Sequence, residues 1–123
     1  MVIGIGVDLV SVQGFAPKLA GDAFRRRVFS RGEEDACRGS AAAPRAYAEV
    51  FAVKEAAMKA LGAGIGSGVG FVEFRVCRET AVVHVGGRAA ERAAELGGAT
   101  FRYTIGGTPE YVQAVVLLEG PGR

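Results

Sequence analysis

The chain has 123 residues, half of them hydrophobic and 23% charged, with a net charge of +2 and 19 glycines. That is long enough to bury a core, so one domain over 1–123 is expected. The make-up excludes a disordered charged tail and a membrane span, since no apolar run approaches about 18 residues. It also excludes a disulfide scaffold or self-contained zinc site, since the only cysteines are Cys37 and Cys77.

In chain order, residues 2–10 (VIGIGVDLV) read as a strand, with Ile3, Ile5, Val7 and Leu9 alternating with Gly4, Gly6 and Asp8. One or two short helices follow over 11–27, with Ser11 a candidate N-cap and Pro17 early or at a break. Ser30 and Glu33 have the spacing of a capping box and open another helix. After a loop at 39–44, residues 45–61 form the strongest predicted helix, closed by Gly62. A glycine-dense loop spans 62–70, then strands at 71–77 and 81–85 pair as a hairpin through Arg78-Glu79-Thr80. A short helix at 88–96 ends at Gly97-Gly98, and strands at 100–105 and 111–119 flank a Gly106-Gly107-Thr108-Pro109 turn. The predicted class is α+β: a mostly antiparallel sheet wrapped around one long helix.

On that helix Tyr47, Val50, Phe51, Ala57, Met58 and Leu61 share a broad apolar face at about 100° per residue. Glu55 and Lys59 stand i,i+4 beside its edge, on the side of Ala48 and Ala52, a pair that would suit an ordinary solvated face. Lys54, however, points into the apolar arc. The chain has 12 Arg and 3 Lys, and two of the lysines fall in the stretch 54–59. A lysine kept in an arginine-rich chain suits a compact point charge at a phosphate. Asp8 ends a strand and has only glycine on its own face. It reads either as a cap for the next helix or as a carboxylate in a hollow left by missing side chains. Were Asp8 and Glu55 adjacent, they would offer hard oxygens to Mg²⁺, with Lys59 and the glycine loop facing a diphosphate. The dinucleotide fingerprint fails because Leu9 holds its third glycine position, and the loop lacks a P-loop ending. A single His84 and no Gly-x-Ser-x-Gly exclude a Ser–His hydrolase. The mild charge carries no nucleic-acid signature, and Arg25-Arg26-Arg27 reads as solvated surface or a dock for an acidic partner.

The opening Ile3-Gly4-Ile5-Gly6-Val7-Asp8-Leu9-Val10 resembles that of the holo-[acyl-carrier-protein] synthases, the AcpS-type 4′-phosphopantetheinyl transferases. Residues 51–65 (FAVKEAAMKALGAGI) resemble their second signature, and Phe29-Ser30-Arg31-Gly32-Glu33 and the closing strand pair are similar to further family segments. The resemblance implies the AcpS-like fold and transfer of 4′-phosphopantetheine from coenzyme A to a serine of an apo acyl or peptidyl carrier protein, releasing 3′,5′-ADP with Mg²⁺. It implies Asp8 and Glu55 as metal ligands and Lys59 as the phosphate contact. Glu55 would help deprotonate the serine, directly or through a water. Lys54, Lys59, Gly62, Gly64, Ile65 and Thr104 would bind coenzyme A. It further implies a cytoplasmic homotrimer with sites shared between subunits, and an acidic carrier that would meet Arg25–Arg27. The chain departs from the family pattern at Ser11, Gly14, Val50 and Gly106-Gly107, where relatives often carry charged or polar side chains, and in its short Arg78-Glu79-Thr80 hairpin. Those departures motivate an alternative: a repurposed homologue that binds or acts on a carrier-tethered intermediate without the transfer.

Overall fold

The computed structural model describes residues 1–64 and 67–122. Strand β1 (Val2–Ser11) leads into a one-turn helix α1 (Val12–Phe15), a 3₁₀ segment (Ala16–Ala20), then α2 (Asp22–Val28), α3 (Arg31–Arg38) and the long α4 (Ala43–Ala60). After the glycine loop come a 3₁₀ turn (Phe71–Glu73), the hairpin β2 (Phe74–Cys77) and β3 (Val82–Val85), helix α5 (Gly87–Glu95), and the pair β4 (Thr100–Gly107) and β5 (Tyr111–Glu119). The strand expected over 71–77 begins only at Phe74, because its first residues take a 3₁₀ turn. All pairings are antiparallel, in the order β1-β5-β4-β3-β2.

Local chemistry sets the breaks. Ser11 accepts the Gly14 amide at 3.1 Å and caps α1. The Ser30–Glu33 capping box forms in both directions and starts α3. Gly62 follows α4 at φ +70°, the left-handed conformation that ends a helix and that glycine adopts freely.

Helix α4 lies on one face of the sheet, against β1 and β5. Its stripe of Ala48, Ala52, Ala56 and Ala60 is fully or almost fully buried. It packs on the sheet, while the predicted face is covered from the other side: Tyr47, Val50, Ala57 and Leu61 are buried, and Phe51 and Met58 are half-buried. Gly4 and Gly6 explain how the helix comes so close: a Cβ at Gly6 would stand 1.8 Å from the Ala56 carbonyl oxygen, and one at Gly4 2.1 Å from that of Ala60. These glycines do not leave a hollow beside Asp8. The helix backbone fills the space they clear. The other face of β1 carries Ile5, Val7 and Leu9, which are 47–63% exposed.

Candidate active site

Asp8 is the next inward position of β1 after Gly4 and Gly6, so strand alternation aims it at α4. Its side chain is 14% exposed. From α4, Lys59 donates to Asp8 Oδ1 at 2.9 Å and to the Val7 carbonyl at 3.0 Å, while remaining half exposed itself. Glu55 lies one turn earlier on α4. Burial raises its pKa first and the negative Asp8 raises it further, with Lys59 and Lys18 pulling the other way. The two carboxylates thus share one neighbourhood, as the sequence led one to expect.

They open on a cleft of about 410 Å³ lined by Asp8, Ser11, Gly14, Lys18, Phe51 and Glu55. Lys18 stands with its ammonium 5.8 Å from the centre of the Phe51 ring. The sequence reading missed it, because Lys18 sits in an irregular segment where no periodicity points to its neighbours. Among the described residues no group of three or more His, Cys, Asp and Glu side chains gathers as a metal cage. The donor set on offer is two carboxylates near one another, with the pKa of Glu55 raised by burial and then by the charge of Asp8. That fits Mg²⁺, which takes one or two carboxylates and leaves its other positions to phosphates and water.

Two expected site residues lie elsewhere. Lys54 is 0% exposed. Its ammonium donates to Glu33 Oε1 and to the Val28 carbonyl, each at 2.6 Å, and it stands 5.9 Å from the Phe29 ring. A lysine sealed and bonded in this way cannot reach a phosphate, so the cofactor role expected of it is corrected to a structural one. Burial lowers its pKa, and Glu33 opposes that shift. Glu33 had been read only as a helix cap. A lysine in an apolar arc needs a buried acid, and that was the available signal for their pairing. Thr104 pairs with Val115, which pairs with Val7, so it lies on the outward face of the sheet. Within one chain it is on the opposite side of the sheet from Asp8 and Glu55. Gly62 and Gly64 follow α4 beyond Lys59, where an added Cβ would touch nothing within 4 Å. Ile65 lies outside the described residues.

The positions that depart from the family pattern also differ from one another. Gly14 lines the cleft. Val50 is buried in the core. Next to it on α4, Arg78 of the hairpin bonds Glu49 at 3.0 Å and the Ala46 carbonyl at 3.2 Å. At Gly107, φ is +138° and a Cβ would meet the Tyr111 carbonyl oxygen at 2.1 Å, so this turn is built for glycine.

Residues 4–115 match the family described as the 4′-phosphopantetheinyl transferase superfamily. The holo-[acyl-carrier-protein] synthase of Koribacter versatilis is 39% identical over 97% of this chain and 99% of its own. The crystal structure of the Neisseria meningitidis holo-[acyl-carrier-protein] synthase superimposes with a TM-score of 0.83 at 27% identity, covering 97% of this chain and 99% of that one. The Chronobacterium ammoniagenes ACPS–CoA complex superimposes with a TM-score of 0.80 at 26% identity, over 95% and 96% of the two chains. With nearly the whole chain matched in both sequence and fold, this protein belongs to the 4′-phosphopantetheinyl transferase superfamily, among enzymes of the holo-[acyl-carrier-protein] synthase type.

Proposed function

We propose that this chain, acting as one AcpS-like domain over 1–123, moves the 4′-phosphopantetheine arm of coenzyme A onto a serine hydroxyl of an apo acyl or peptidyl carrier protein, with Mg²⁺, releasing 3′,5′-ADP. The observation that carries the reading is the Asp8–Lys59 contact at 2.9 Å beside Glu55, on an open cleft. The ACPS–CoA complex named above is a fold neighbour in which coenzyme A is the bound molecule.

In this reading Asp8 and Glu55 hold Mg²⁺, which would neutralise charge on the diphosphate. Lys59 reaches the site from the helix end that leads to Gly62 and Gly64. Its half-exposed ammonium is free to shift from Asp8 to an arriving phosphate and to offset charge on the leaving group. Glu55, whose burial and acidic neighbour raise its proton affinity, would take the serine proton, directly or through a water, as the oxygen attacks phosphorus. Most of such a reaction is positioning and charge compensation, which three side chains on two rigid elements provide.

The surface beside the cleft suits an acidic partner. Arg25 is tied to Asp22, Glu34 and the Leu19 carbonyl, while Arg26 and Arg27 are exposed. A hollow of about 370 Å³ there is lined by Arg25, Arg26, Arg31 and Arg38 together with the acids Asp22 and Glu34, so basic side chains outnumber acidic ones. The exposed Ile5, Val7 and Leu9 supply an apolar sheet face for other copies of the chain, and Thr104 lies on that same outward side. A homotrimer meeting there would bring Thr104 near a neighbouring subunit. Among the described residues no helix is long and apolar enough to cross a membrane.

The test is mass spectrometry of a panel of apo carrier proteins incubated with coenzyme A and Mg²⁺, repeated with Asp8→Ala and Glu55→Ala. A phosphopantetheine adduct formed by the parent chain and lost in both variants is expected. No adduct on any carrier from a folded parent chain would overturn the reading.

A further inference from the structure

We propose that Lys54 and Glu33 are positioning residues: their ion pair sets the rotation of α4 about its own axis and so presents Glu55 to Asp8. The inference rests on the functional reading above.

The bonds at this pair are directional and come from four segments. The Lys54 ammonium donates to Glu33 Oε1 and to the Val28 carbonyl at the end of α2, both at 2.6 Å. Glu33 Oε1 also accepts the Ser30 amide at 2.8 Å, and Oε2 accepts the Val76 amide of β2 at 2.8 Å. Helices α2, α3 and α4 and strand β2 therefore converge on one carboxylate–ammonium pair, both members of which are buried.

The opposite side of α4 is held differently. There Ala56 and Ala60 lie against Gly4 and Gly6. Such a contact fixes how near the helix comes to β1. It is backbone against backbone, and the directional bonds on this side come from Lys59, which reaches Asp8 and the Val7 carbonyl from a half-exposed position. The buried pair adds directional bonds that are sealed from solvent. Glu55 follows Lys54 in sequence, so it sits about 100° further round the helix. Any turn of α4 that moves Lys54 off Glu33 carries Glu55 through the same angle and changes how it meets Asp8. Buried charge pairs are poor stabilisers compared with apolar packing, and a role in fixing register is their best-attested use.

The test compares the parent chain with the double variant Lys54→Met plus Glu33→Gln. This variant removes both charges together and leaves one amide oxygen at position 33 to accept from the backbone amide of Ser30 or Val76. Folding is followed by thermal unfolding, Mn²⁺ affinity by electron paramagnetic resonance with coenzyme A present, and turnover by the carrier assay. In the folded double variant Mn²⁺ binding should weaken by roughly 10-fold, the scale seen when residues supporting metal ligands are lost. Its kcat should fall by about 100-fold, the scale of a misplaced reacting group. KM for coenzyme A and for the carrier should hold, which a general loosening of the fold would not allow. A folded double variant with parental Mn²⁺ affinity and kcat would overturn the positioning role alone. A parent chain that neither binds Mn²⁺ nor loads a carrier would overturn the functional reading and this inference with it. Should the double variant not fold, Glu33→Asp is judged by the same criteria, since it keeps the charge and shortens the reach by one methylene.

Discussion

Lys54 and Lys59 stand five residues apart on α4, and each bonds a carboxylate, yet the two pairs differ in nearly every other respect. The Lys54–Glu33 pair is 0–5% exposed and its oxygens are taken up by backbone amides. The Lys59–Asp8 pair has a lysine that is 52% exposed and a second carboxylate close by. A closed pair with every bond satisfied has nothing left to offer a ligand. An open pair with excess negative charge can exchange its lysine contact for a cation or a phosphate. Each is a lysine of one helix on a carboxylate, so access to solvent decides which one can do chemistry.

The largest effect should come from breaking the closed pair on one side only. Lys54→Met leaves Glu33 buried without its counter-ion and should cost about 3–5 kcal/mol, measured by denaturant unfolding. Lys59→Ala removes an ion pair whose lysine is exposed and should change stability by less than about 1 kcal/mol. Equal losses would collapse the distinction between the two.

Activity should show the reverse order. Asp8→Ala, Glu55→Ala and Lys59→Ala should each lower carrier loading by roughly 10²–10³-fold, the scale of losing one electrostatic contact to a developing charge. Each should still unfold cooperatively near the parent temperature. A variant at either acid that keeps full loading would show that the open pair is not the reacting centre.

The glycine seam tests whether helix approach matters to both regions. Gly6→Ala puts a methyl 1.8 Å from the Ala56 carbonyl oxygen, and backbone must move. A loss of about 1–3 kcal/mol is expected, as for overpacking, together with reduced turnover from displacement of α4 relative to Asp8. Calorimetry and the loading assay report the two effects separately.

The smallest test uses the thiols as reporters. Burial pushes the Cys37 thiol, beside the closed pair, up to about 11. Cys77 lies partly open, and hydrogen bonding from Thr80 lowers its pKa. Alkylation at mildly alkaline pH should therefore label Cys77 first and Cys37 only on unfolding. Between the ordinary thiol value of 9.0 and about 11, the unfolded Cys37 ionises while the folded one keeps its proton. The native state then binds more protons, so stability should fall as pH rises through that window. Early labelling of Cys37 would mean that the core around the closed pair opens readily.

Much of this was legible in the residues. The Ser11 cap, the Ser30–Glu33 box, the Gly62 stop and the Arg78–Thr80 hairpin depend on contacts a few residues apart, and they formed where expected. Asp8 stood out as an acid in a glycine-rich strand, and its partnership with Glu55 followed from the family resemblance. Two readings went astray where distant segments decided the outcome. The hollow considered beside Asp8 is filled by the backbone of α4, which packs on Gly4 and Gly6. Lys54 looked like a phosphate contact until Glu33, 21 residues away, closed on it.

The sequence by itself determined the elements, their caps and the types of charge available, because those follow from short-range sterics and hydrogen bonding. Only the tertiary structure decided which lysine is sealed and which is open. That depends on how near α4 comes to β1 and on what covers its other side. Burial is a property of the packed whole, and the choice between a structural and a reactive lysine is made there.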